Sequence, residues 1–345
     1  VPLRWRRDPL TGASARILSG VKLQPSSRPD LTELTAKPAF CPFDMEHLET
    51  ATFPFPAELT AEGRIRLGKA VVVPNIMAYA THSAVGIYDP GRHFLDLDEL
   101  TPSLLGDALA AMVRHAQAVR RLDPAAQWSS INGNYLPPAG ASLVHPHLQS
   151  AHDAYGLTGQ RLLAEQSRAW QERHGSYWAA LVDQEAGGPR WVGHIGRVAW
   201  LTPFAPSGFH EVWAVVSGAA DVTELTEEDS RALGQGLSQV LATYRAWNLA
   251  SFNFAVIGGG PGAHKYGYQV VLKVLSRSNP EPLYRSDATY FERLYGEALI
   301  DLSPEEVADG IRARFLSARW PGHIGPAAAH HAGPILSFPV KIPKV

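Results

Sequence analysis

Two histidines and a glutamine stand at alternate positions in His145-Pro146-His147-Leu148-Gln149. In an extended segment, residues i, i+2 and i+4 share a face, so these three side chains would point into one space. Pro146 fixes its own φ and donates no ladder hydrogen bond, which suits a strand edge or a strand beginning beside a ligand. Neutral imidazole is a competent nucleophile toward phosphorus near neutral pH, because its ordinary pKa is ~6.5 and no strong base is required. A hydrogen bond from one ring nitrogen to a backbone carbonyl would leave the lone pair of the other free for attack. Taken alone, the pentapeptide also fits two structural histidines with satisfied hydrogen bonds.

Upstream lie Asn134 and the small-residue turn Pro137-Pro138-Ala139-Gly140-Ala141-Ser142. Such a turn lets backbone N–H groups and the Ser142 hydroxyl approach a phosphate closely. Gly258-Gly259-Gly260-Pro261-Gly262 is followed by Ala263-His264 rather than a Lys-Ser/Thr pair, so it reads as a turn between strands and not as a Walker loop.

Two amphipathic helices would carry this chemistry, and both begin from the letters Glu-Leu-Thr. Thr101 is the expected N-cap of the first, with Pro102 at its first position and Leu105, Leu109, Met112, Val113 and Ala116 on one face. In the second, Thr226 precedes Glu227 and Glu228, and Leu233, Leu237, Val240, Leu241 and Tyr244 form the stripe. Strand-like segments lie upstream of each (His82 to Tyr88; His210 to Val216) and downstream of each (Ser129 to Gly133; Ser251 to Gly260), the signature of an internal repeat. Gln160 to His174 reads as a linking helix, and Ser303 with Glu306 forms a capping box for a last one. The expected fold is α+β, a tandem duplication with an antiparallel sheet and packed helices in each half. The expected boundaries are 1–158, 159–317, and a Pro/Gly-rich tail over 318–345 that holds His330-His331.

At 345 residues the chain can bury a large core without disulfide or metal support. Its net charge of −2, from 31 basic and 33 acidic residues, gives no reason to expect nucleic acid or membrane as partner. A single cysteine, Cys41, rules out an intramolecular disulfide and favours a reducing, cytoplasmic setting. No apolar run reaches transmembrane length, and Val1 to Arg7 lacks a signal peptide's apolar core.

From about Arg6 to Ala308 the sequence resembles the galactose-1-phosphate uridylyltransferase family, a two-domain branch of the histidine-triad superfamily. The resemblance is carried by Asp8-Pro9-Leu10-Thr11-Gly12, Cys41-Pro42-Phe43, Pro74-Asn75, Asn134 with Gly140-Ala141-Ser142, and His-Pro-His-x-Gln, in that order. It implies two histidine-triad-like domains and a nucleotidyltransferase that moves a nucleoside monophosphate between a nucleoside-diphosphate sugar and a sugar 1-phosphate. His147 would be the nucleophile, and Gln149 would donate a hydrogen bond to the transferred phosphoryl group, favouring transfer over hydrolysis because glutamine does not titrate. Ser142, Asn75 and Asn134 would contact the nucleotide or its phosphates, with Lys22 and Arg28 as N-terminal phosphate contacts and Glu292 as a sugar contact.

The resemblance also implies a structural zinc held by Cys41, Asp44, His93 and His145, with aspartate where the family commonly has a second thiolate. Only His264 remains where some relatives place metal-binding histidines in the second half, so that half would be structural and could supply a homodimer interface. Leu136 stands where the family usually has glycine. Phosphorolysis or hydrolysis of nucleotide sugars or dinucleoside polyphosphates, and non-catalytic binding of nucleotide sugars, are the alternative readings.

Overall fold

Thr101 and Thr226 start the two long helices as their side chains dictate, the first through its hydroxyl to Leu104 N, the second through a reciprocal capping box with Asp229. The computed structural model describes residues 3–18, 20, 23, 25–281 and 286–317. The tail beyond 317, with His330-His331, lies outside the described residues. The helices are α1 (Leu48–Ala51), α2 (Pro102–Leu122), α3 (Thr158–His174), α4 (Tyr177–Glu185), α5 (Glu227–Ala246) and α6 (Pro304–Ser317). Strands are β1 (Leu3–Arg7), β2 (Ser14–Leu18), β3 (Ile65–Leu67), β4 (Ala70–Pro74), β5 (Ala84–Ile87), β6 (Trp128–Tyr135), β7 (His147–Asp153), β8 (Trp191–Ile195), β9 (Val198–Leu201), β10 (Val212–Val216), β11 (Ser251–Ile257), β12 (Val270–Arg277) and β13 (Ala298–Ile300). None of the helices is long and apolar enough to cross a membrane.

Ten strands form one sheet in the order β3-β4-β5-β7-β6-β11-β12-β10-β9-β8. Five come from the first half of the chain and five from the second, the order of one half mirrors that of the other, and every neighbouring pair is antiparallel. The expected α+β duplication is therefore realised as two half-sheets fused edge to edge through β6 and β11. A small sheet, β1-β2-β13, ties the N-terminal segment to the end of the second half.

The period of two along each strand sorts side chains onto two faces. One face is mostly apolar: Val72, Leu148, Ile131, Phe254, Leu272, Ala214 and Trp200 pack beneath α2 and α5 in the main core. Those helices touch at glycine. A Cβ on Gly234 would stand 2.5 Å from Gly106 N and 2.9 Å from Pro102 O. Because the obstacle is backbone rather than a movable side chain, Gly234→Ala is expected to force the helices apart and cost about 1–3 kcal/mol in a denaturant titration, despite alanine's better helix propensity. An unchanged midpoint would mean that the helices do not meet this closely.

Beneath the other long flank of α2, His115 and His152 face each other with ring centroids 5.1 Å apart, both buried. Burial pushes His115 well down, and with help from nearby His82 and Arg120 takes His152 down to about 4. An unfolded histidine titrates near 6.5, so between that pH and about 4 the unfolded chain binds the proton that the folded chain refuses. Stability is then complete above about pH 6.5 and falls on acidification, by roughly 3 kcal/mol for His152 alone. Urea midpoints at pH 7 and pH 4.5 check this, and equal values would contradict it.

Candidate functional site

On the face away from α2 and α5, one row of cross-strand partners runs Val73, Val85, Gln149, Asn132, Ala255, Lys273, Trp213, Leu201. Its two ends are closed. Val73, Val85 and Ile87 pack with Leu48 and Phe43, whereas Trp213 and Leu201 lie under Leu163 and Trp178 of α3 and α4. Between them Gln149, Asn132, Asn134, Asn253 and Ala255 are half-exposed. The centre of the sheet is thus a polar floor flanked by apolar walls, the form expected of a ligand cleft.

His147 opens β7 at the edge of this floor, paired with Ile87 of β5. The register between β6 and β7 pairs Gly133 with Leu148, and one further step sets Asn134 across from His147. The His147 ring is 7 % exposed and meets Phe43 edge-on, with centroids 5.2 Å apart. Its Nδ1 lies 2.8 Å from the His145 carbonyl oxygen. A carbonyl only accepts, so the proton sits on Nδ1 and the lone pair on Nε2. The Nε2 atom has no partner among the described residues, and it is not one of the sealed orphan nitrogens, which include those of His47, His115, His152 and His210. Burial lowers the pKa of this imidazole and outweighs the opposing backbone hydrogen bond, keeping the ring neutral.

Around it the sequence-derived residues fall into two groups. Gln149 points from the same face and accepts a hydrogen bond from the Tyr79 hydroxyl at 2.7 Å through Oε1, leaving its amide protons without a partner among the described residues. Asn134 uses its Oδ1 to accept from Asn253 at 2.7 Å. Ser142 is exposed in the loop ahead of His145. That loop begins at Leu136, whose φ of 67° and ψ of 162° belong to glycine's territory. Strain there of about 1–3 kcal/mol is offset by a leucine side chain only 1 % exposed, whose burial contributes a similar amount. The Pro137–Ala139 turn and Gly140, at φ 89°, complete the bend.

Asn75 follows β4 and closes an Asx turn, accepting from Met77 N at 3.1 Å while its amide donates to Ser83 Oγ at 3.2 Å. Two further expected contacts, Arg28 and Glu292, are engaged within the fold. Arg28 pairs with Asp96 and donates to the Leu249 carbonyl at 2.9 Å, so its charge is already answered within the fold. Glu292 accepts from Thr289 N and Oγ and from Leu299 N, capping its own turn. Lys22 lies outside the described residues. Sequence reasoning missed Tyr79, which reaches Gln149 from the segment between β4 and β5, and Asn132, Asn253, Arg277 and Lys273, which share that face only through the register of β6, β11 and β12.

Behind the nucleophile, Cys41, Asp44, His93 and His145 converge, with their ligand atoms all within 4.8 Å of one another. Asp44 Oδ1 lies 3.0 Å from His93 Nδ1 and 3.1 Å from His145 Nδ1, and Cys41 Sγ lies 3.8 Å from the same His145 nitrogen. Tetrahedral zinc with these donors needs edges of about 3.3–3.8 Å. The buried Asp44 Oδ2 has no hydrogen-bond partner, only Lys37 Nζ at 3.6 Å, so the donor set fits a divalent cation. A second convergent group, Asp44 with Glu46 and His47, is more exposed.

The fold has solved counterparts. An ADP-glucose phosphorylase from Arabidopsis thaliana, crystallised with ADP-glucose, superposes with a TM-score of 0.69 at 16% identity, covering 90% of this chain and 99% of that one. A uridylyltransferase structure gives 0.66 at 21% identity, covering 91% and 98%. The chain has a uridylyltransferase-like fold. A GalT-like protein from Arabidopsis thaliana shares that fold at a TM-score of 0.68 and 18% identity, covering 90% and 98%. An uncharacterized protein from Archaeoglobus fulgidus is 26% identical over 311 residues, 89% of this chain and 91% of its own length. No family model matches the sequence.

Proposed function

We propose that the protein is a nucleotidyltransferase-type enzyme of nucleotide sugars, acting through a covalent nucleotidyl-His147 intermediate. The observation that carries the reading is the His147 tautomer: Nδ1–H bound to the His145 carbonyl, Nε2 bare at the edge of a polar cleft. In the first half-reaction Nε2 attacks the α-phosphorus of a nucleoside-diphosphate sugar. A P–N bond forms, the P–O bond to the β-phosphate breaks, and a sugar 1-phosphate departs. In the second, a phosphate oxygen of the acceptor attacks the same phosphorus and restores the imidazole.

Gln149 and Asn134 supply amide donors for the charge that builds on the phosphoryl oxygens, and Ser142 a hydroxyl from the loop. Asn75 holds the nucleotide end of the cleft. The Cys41, Asp44, His93, His145 cluster would hold a structural zinc, which would fix the His145 backbone on which the nucleophile leans. Domain boundaries near residues 158 and 317 and a homodimeric assembly belong to the same reading; light scattering tests the latter.

Phosphorolysis is the second reading, favoured by the fold shared with an ADP-glucose phosphorylase. It differs only in the acceptor, inorganic phosphate in place of a sugar 1-phosphate. The deciding experiment incubates the protein with UDP-glucose or ADP-glucose labelled at the α-phosphate. An acid-labile, base-stable phosphoramidate is expected, and its release by glucose 1-phosphate, phosphate or water separates transferase, phosphorylase and hydrolase. If neither substrate leaves label on the protein, the covalent reading is wrong.

A further inference from the structure

Asn253 stands on β11, in the second half of the chain, yet its hydrogen bonds reach the site in the first. Arg277 Nη1 donates to Asn253 Oδ1 at 2.7 Å, and the same guanidinium is held by Asp287 at 2.6 and 2.7 Å. A guanidinium can only donate. Asn253 must therefore turn its oxygen toward Arg277 and its amide nitrogen the other way. There Nδ2 meets the Ala139 carbonyl at 2.8 Å and Asn134 Oδ1 at 2.7 Å. The carbonyl can only accept, so the orientation of Asn253 is fixed from both ends. Asn134 is then obliged to give its oxygen to Asn253, and its own amide protons have no partner among the described residues, on the strand beside His147.

We propose that Asn253 is a positioning residue for the nucleotide site: backed by Arg277 and Asp287, it locks the Asn134 carboxamide nitrogen-outward, so that a phosphate meets a donor instead of an oxygen. Through Ala139 it also anchors the turn that leads to Ser142. The inference rests on the nucleotidyl-transfer reading. A carboxamide left free would present either end to the ligand, and the oxygen end repels phosphate. The second half thus acts on the chemistry of the first by setting the sense of a hydrogen-bond chain that runs from a carboxylate to the reacting group.

Substitution at Asn253 separates this role from mere packing. Aspartate can accept from Arg277 but cannot donate to Asn134 or Ala139, so it compels Asn134 to turn its nitrogen inward and its oxygen toward the ligand. In single-turnover labelling with α-labelled UDP-glucose and ADP-glucose, Asn253→Ala is expected to slow adduct formation by about 10-fold and Asn253→Asp by about 100-fold or more. In an Asn134→Ala background the Asn253→Asp change should add about 10-fold or less, because the group it misdirects is gone and only the Ala139 contact remains to be lost. Thermal midpoints of all variants are read alongside, and the alanine variant serves if the aspartate one fails to fold. Wild-type rates in Asn253→Ala, or full additivity with Asn134→Ala, would overturn the positioning role while leaving the covalent reading intact. Absence of adduct in the wild-type protein would overturn both.

Discussion

Replacing His147 by alanine is expected to lower turnover of nucleotide sugars by at least about 10⁴-fold, the order seen when a covalent nucleophile is removed from an otherwise intact site. Binding should change little. Gln149, Asn134 and Ser142 belong to the floor and its loop rather than to the ring, and the ring's hydrogen bond is to the carbonyl of buried His145, two residues ahead in the chain. The measurement is paired: rapid-quench labelling for the adduct, and calorimetric titration with UDP-glucose or ADP-glucose for affinity. Loss of the label with affinity held within a few-fold supports a nucleophile. Comparable losses in both would reduce His147 to a binding group, and retained turnover would remove it from the mechanism. His147→Gln sharpens the comparison, since an amide fills the space and can donate but has no lone pair able to attack phosphorus.

The second large effect is expected at Asp44. Its carboxylate is buried between two imidazoles, with the Lys37 ammonium at its other oxygen. Asp44→Ala would remove one ligand from the proposed zinc site and leave His93 Nδ1 without its carboxylate, while His145, whose Nε2 donates to the Asp89 carbonyl at 3.2 Å, keeps its ring in place with Nδ1 facing the gap; a loss of about 3–5 kcal/mol in stability is expected. Metal analysis of protein prepared with zinc should fall from one equivalent to well below it, and chelation of the wild-type protein should lower its melting temperature toward that of the variant. Asp44→Cys is the informative counterpart: a second thiolate should retain the metal and raise resistance to chelator. Wild-type protein that takes up no zinc would refute the metal assignment, leaving the cluster as a hydrogen-bonded network.

What could be read in advance follows from the range of the forces involved. Helix starts were legible because capping is local: Thr101, Thr226 and Ser303 each satisfy backbone donors within their own next turn. The alternation of His147 and Gln149 was legible because strand geometry is local too, and the hydrogen bond from His147 Nδ1 spans two residues. Asn253 and Arg277 were not, because their significance depends on a register formed by strands more than a hundred residues apart in sequence. Arg28 shows the converse. A basic residue near the N-terminus looks free in sequence, but folding brings Asp96 and the Leu249 carbonyl to it. Leu136 marks an intermediate case, in which a side chain stands where the backbone angle suits glycine and only the buried core explains its being tolerated.

The fusion of β6 to β11 at the middle of the large sheet has a consequence for the halves taken separately. Expressed alone, either half would lay bare one edge of a seven- or eight-residue strand, its seam-facing amides and carbonyls unpaired, a template for adding further copies. Phe252 and Tyr135, stacked across that seam at 5.0 Å, would become exposed aromatics on that rim. Fragments cut at the midpoint should accordingly precipitate when made singly and recover solubility only when produced together, so this duplicated chain has given up the independence that its ancestral unit would have needed.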